Sequence, residues 1–200
     1  MKKITTLLLV SIMALTQACN NSSDKDSVDK ANDINDKKDT TSMSDSKKDT
    51  VANAMSVNDD VATFAVKAAN GGMMEVALGK IAAQKAGNKK IKDFGEMMVK
   101  DHSKANDELK QLAADKNITL PAAISDDNQK HIDDLNKESG KDFDKDYIDM
   151  MVKDHKDDID LFEDAAKNSK DSAFKSFAVK TLPTLYKHLG AAKAIQKSMP

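Results

Sequence analysis

From Asn58 onward, apolar residues return every three or four positions, the period of one face of an α-helix. One stripe passes through Phe64, Ala68, Gly71, Glu75, Leu78 and Ala82 and predicts a helix over 58–86. A second passes through Ile91, Phe94, Met98, His102, Ala105, Leu109 and Leu112, over 88–116. Beyond a loop at 117–125 that holds Pro121, Ile132 and Leu135 mark a short helix. A third long stripe, over 141–168, carries Tyr147, Met151, Asp154 with His155, Asp158, Phe162 and Ala165. The fourth, over 171–198, carries Phe174, Phe177, Thr181, Leu185, His188, Ala192 and Ile195, with Pro183 inside it and a kink expected there. Four long amphipathic helices bury their stripes most simply against one another. The fold class read from the pattern is all-α, a four-helix bundle with an extra short helix between helices two and three.

Before Asn58 this pattern is missing. Lys2 and Lys3 precede an apolar run, Ile4 to Leu15, that is too short to span a bilayer and reads as the core of an export signal. It runs into Thr16-Gln17-Ala18-Cys19, which resembles the lipobox of bacterial lipoproteins, where the Cys is acylated and becomes the mature N-terminus. Ordinary signal cleavage near Ala18, with Cys19 incidental, is the alternative. Acylation with more than one chain would hold the protein on a membrane without a transmembrane helix. Residues 20–57 contain 8 Asp and 6 Lys among Asn, Ser and Thr, with no aromatic residue. Such a stretch offers too little apolar surface to offset chain entropy and reads as a disordered tether. The organisation expected is a lipoprotein signal peptide at 1–19, a tether at 20–57 and a helical domain at 58–200, which should keep its full stability when it starts at Asn58.

Composition narrows function by exclusion. All 31 basic residues are Lys, and the net charge is −2. Without the guanidinium fork or a long-range positive field, no nucleic-acid partner is expected. Aromatics make up 4%, with no Trp, and Gly and Pro are few, which favours helices over a sandwich or barrel. Cys19 is the lone cysteine, so no internal disulfide forms. No nucleophile–base motif, phosphate loop or H-E-x-x-H is present, so no catalytic residues are assigned.

The segment Met97-Met98-Val99-Lys100-Asp101-His102 recurs unchanged as Met150 to His155, 53 residues later. Two helix pairs related in this way would bring their Asp–His pairs together near a pseudo-twofold axis. These two segments, the run Gly71-Gly72-Met73-Met74-Glu75-Val76-Ala77-Leu78-Gly79 and the run Leu182-Pro183-Thr184-Leu185-Tyr186-Lys187-His188-Leu189 together resemble a bacterial family. It is the family catalogued as domain of unknown function 4142, and the likeness covers about 60–196. The resemblance implies a ferritin-like fold and an exported, often lipidated protein; it implies no activity.

Glu75, His102, His155 and His188 lie on the apolar faces of four different helices. Buried polar groups of this kind must be paired, hydrogen-bonded or bound to metal. They make a candidate site for a divalent transition metal (Fe, Mn or Zn), with Asp101 and Asp154 as further ligands or as partners that fix the imidazole tautomers. Cu(I) is a lesser option, through the i,i+4 pairs Met98–His102 and Met151–His155. The di-iron pattern of ferritins needs Glu-x-x-His on two helices, but Val99 and Val152 occupy the positions three before His102 and His155. The alternative is a metal-free buried network of His, Asp and Glu in a non-enzymatic interaction or structural module. The expected location is the bacterial cell envelope. There the protein would be lipid-anchored to the outer or another envelope membrane, its domain periplasmic or surface-exposed and its protein partner open.

Overall fold

A computed structural model describes residues 25–42 and 59–199. Six helices and no strand occur among them: α1 (Ser27–Ser42), α2 (Asp59–Lys85), α3 (Lys89–Asp115), α4 (Asp126–Lys137), α5 (Gly140–Asn168) and α6 (Ser172–Ser198). The fold is all-α. The four long helices start and stop within a residue or so of the periodic stripes, because local chemistry punctuates them there. Asn88 accepts from Lys90 N at 2.9 Å to open α3, Ser125 accepts from Asn128 N at 3.3 Å to open α4, and Asp171 accepts from the amides of Ala173 and Phe174 to open α6. Gly140 begins α5 at φ 60°, a backbone conformation that Gly adopts without steric cost.

α2 and α3 form one hairpin and α5 and α6 another; α2 also packs on α5, and α3 on α6. Buried Asp144, near the start of α5, accepts from Gly87 N at 2.9 Å and Asn88 N at 2.8 Å, in the turn before α3. That clamp sets the starts of α3 and α5 side by side, so these two run parallel on one diagonal and every adjacent pair is antiparallel. The chain between the hairpins crosses back along α2: Asn70 bonds Ser125 just before α4, and Lys85 bonds Asn136 near its end. Toward the beginning of α2, Phe64 packs edge-on to Phe162 (5.1 Å), Phe174 (6.2 Å) and Phe177 (6.4 Å). Near the other end, Phe94, Tyr147 and Phe143 make a second aromatic layer. Between these layers α2 and α3 nearly touch, since a Cβ on Gly95 would stand 2.7 Å from Gly79 O.

One expectation changes. Residues 27–42 fall in the stretch read as a tether, yet they form α1, which docks on α2 and on the crossover. Ala31 and Asn35 are buried, and Asn35 both donates to Thr119 O (2.9 Å) and accepts from Thr119 N (2.7 Å). The docking is polar rather than apolar, which is why hydrophobic periodicity missed it. Residues 20–24 and 43–57, and the signal segment with Cys19, lie outside the described residues. α6 runs through Pro183, where the kink is expected, on to Ser198. The carbonyl that Pro183 leaves without a helical donor belongs to Val179, which is 55% exposed and open to water. Among the described residues, no helix is long and apolar enough to cross a membrane.

Candidate metal centre

Each long helix contributes one polar side chain near its midpoint to the layer between the aromatic clusters. Glu75 comes from α2, His102 from α3, His155 from α5 and His188 from α6, and all four are buried. The repeated segment sits on the parallel diagonal helices α3 and α5, so His102 and His155 face each other across the axis with ring centroids 5.6 Å apart. His188 completes the group at 5.2 Å from His102 and 5.4 Å from His155. One nitrogen from each ring lies within 4.8 Å of the other two.

The acids stand behind the rings. Glu75 Oε2 is 2.8 Å from His102 Nδ1, and its Oε1 is 3.4 Å from His155 Nδ1. His155 Nδ1–H donates to Met151 O at 3.0 Å, which leaves its Nε2 as a lone pair. Asp101 Oδ2 accepts from His188 Nε2 at 3.0 Å, which leaves His188 Nδ1 as a lone pair. Those two lone pairs, His155 Nε2 and His188 Nδ1, face each other across 3.4 Å. His102 Nε2 is buried and has no partner.

Burial dominates the electrostatics. It pulls the pKa of His102 down to about 4, His155 to about 3 and His188 to about 4, although Asp101 opposes the shift at His188. It pushes Glu75 up to about 8, with Asp154 adding to the rise and a hydrogen bond from Asp158 opposing it. Asp158 is raised well above the ordinary range, first by burial and then by the charge of Glu75, to which it is hydrogen-bonded. Burial also raises Asp101, but His188 and Lys187 outweigh it and leave that carboxyl lowered.

Residues 46–195 match the family described as a domain of unknown function, DUF4142. The chain belongs to that family. The matched span contains every residue of this layer. No curated protein and no solved structure is detectably similar to the chain.

Within this DUF4142 domain the candidates separate by position. Glu75, His102, His155 and His188 converge, and Asp101 joins through His188. Asp154 does not reach the imidazoles. Neighbouring helix positions differ by about 100°, so the Asp beside each repeated His looks sideways toward the next helix. For Asp101 that helix is α6, which offers the donor His188. Asp154 instead has the acid Glu75 as an electrostatic neighbour, its Oδ2 is buried and unpartnered, and burial lifts its pKa to about 6. Asp158 also joins this layer, hydrogen-bonded to Glu75, although it is not among the candidates the sequence offers. It lies on the stripe of α5, three residues after His155, and an acid on an apolar stripe was its only signal. A cavity of about 20 Å³, room for about one water, adjoins Glu75, His102 and Asp158.

Proposed function

We propose that the chain is an envelope lipoprotein whose ferritin-like helical domain holds one divalent transition-metal ion between His102, His155 and His188. The observation that carries this reading is the facing pair of imidazole lone pairs at 3.4 Å, in a trio of rings that each offer a nitrogen within 4.8 Å of the others, with the third ring's Nε2 buried and unpaired. Ligands at about 2.1 Å from a tetrahedral zinc-type ion stand about 3.4 Å apart. Neutral imidazoles suit Zn²⁺, Fe²⁺ and Cu²⁺. Mn²⁺ fits less well, because the carboxylates lie behind the rings. With an ion bound, ionised Glu75 would accept from Nδ1–H of His102 and bear on His155, while Asp101 fixes His188, the usual carboxylate–histidine support of a metal site. Three protein ligands leave a coordination position open to a small molecule. The single crossover between two antiparallel helix hairpins supports the ferritin-like reading.

A metal-free network accounts for the bonds to Met151 and Asp101. It leaves two acceptor nitrogens face to face and His102 Nε2 unpaired, costs that buried polar clusters ordinarily avoid. The location rests on Lys2, Lys3, the apolar run and Cys19. Cell fractionation of Cys19→Ala tests it: the protein should leave the membrane fraction or remain uncleaved. Retention on the membrane after normal cleavage contradicts the anchor. For the metal, elemental analysis of the purified protein should find about one ion per chain in the wild type and almost none in His155→Ala. Metal-free wild type would contradict the reading.

A further inference from the structure

The histidine layer is enclosed, so an ion bound there needs a way in. Two surface grooves of about 540 and 610 Å³ lie along the outer side of α2 and α3, beside the crossover. The small inner cavity touches Glu75, His102 and Asp158. One side chain lines all three spaces, that of Asn106 on α3. It stands in the wall between solvent and site, and it fits there because α2 has no side chain opposite. A Cβ on Gly72 would come within 2.1 Å of Asn106 Oδ1. The neighbouring Gly71 keeps the same part of α2 bare, with Asp158 Oδ1 3.5 Å from where its Cβ would be. The Asn106 amide also makes no hydrogen bond among the described residues, and its residue is half-buried rather than sealed. Nothing polar therefore resists its rotation into the outer grooves.

We infer that Asn106 is the gate of the site. Its amide closes the Gly71–Gly72 gap between α2 and α3 and swings outward to pass a metal ion to or from the histidines. The inference rests on the metal reading above and adds the route. A gate changes the barrier between free and bound states but neither end state, so it alters association and dissociation by the same factor and leaves affinity alone. A ligand would alter affinity.

Stopped-flow uptake of Co²⁺ by the full-length protein, and its removal by a chromophoric chelator, separate the two. Asn106→Ala should raise both rates about tenfold while Kd stays within about twofold of the wild type. Lys193→Ala, exposed on α6, should change neither rate. Melting curves check that both variants fold. Binding with unchanged rates in Asn106→Ala overturns the gate and leaves the metal site standing, and so does a change in Kd that accompanies the rates. Failure of the wild type to bind Co²⁺ at all overturns the metal site and the gate together.

Discussion

At the residue scale, the decisive feature is that burial drives acids and bases of one layer toward neutrality from opposite sides. Glu75 is raised to about 8, so the folded state holds a proton at neutral pH that the unfolded chain releases near the ordinary carboxylate range. Because the native state binds more protons there, stability falls as pH rises, and Asp158 acts in the same sense. The three histidines act oppositely. Their lowered values keep them neutral when the unfolded chain is protonated, so their contribution is present above about 6.5 and lost as pH falls toward 4. The two effects overlap between the ordinary carboxylate and histidine ranges, and above pH of about 6.5 only the acids remain. Metal-free protein should thus lose stability between pH of about 6.5 and 8, as read by chemical denaturation, and Glu75→Gln should flatten that fall. A curve that rises over this interval would contradict the assignment of the protons. The same variant should weaken metal binding about 10–100-fold, the usual effect of losing a partner behind a ligand.

At the element scale, the close approach of α2 and α3 depends on two glycines whose roles the sequence pattern did not separate from helix filler. A methyl on Gly95 would stand 2.7 Å from Gly79 O and 2.9 Å from Ala83 N, both backbone atoms that cannot step aside. Gly95→Ala should therefore cost about 1–3 kcal/mol by overpacking, despite its better helix propensity. Gly190 in α6 has nothing within 4 Å of its missing Cβ. Gly190→Ala should stabilise by about 0.5–1 kcal/mol, so paired melting curves distinguish packing from propensity. Equal effects at the two positions would refute the close contact. The long helices were legible in the sequence because their stripes are continuous, and α3 and α6 also open on Asn88 and Asp171 caps. The contacts that place helices beside one another were not, since glycine gaps and the Asp144 clamp carry no periodic signal. Asp101 and Asp154 look equivalent in the repeat and diverge only because α6 offers His188 where α2 offers Glu75.

At the scale of the whole molecule, the domain is larger than its apolar pattern. α1 fastens the crossover through Asn35 and Thr119, Ser27 Oγ to Ala123 N at 3.0 Å, and Asp26 Oδ2 to Asp126 N at 2.6 Å. A chain beginning at Asn58 should melt about 2–8 °C below the full-length protein, through the loss of these bonds. Equal melting temperatures would return 20–57 to the role of a passive tether. Asn, Asp and Ser dominate that stretch, and their docking partners lie some 80 to 100 positions away in sequence, so no local pattern announced it. The convergence of four polar residues was legible for the opposite reason: each sits on an apolar stripe near a helix midpoint, and the repeat sets two of them face to face. The metal centre and the Asn106 gate both rest on that layer accepting an ion. The most direct measurement is a visible-absorption titration of metal-free protein with Co²⁺, whose d–d bands report ligand number and geometry. One equivalent should give an intense low-coordinate spectrum, lost in His102→Ala, His155→Ala and His188→Ala and kept in Asp154→Ala. A spectrum indistinguishable from aqueous Co²⁺ at every ratio would contradict the metal centre and leave a buried polar network in its place.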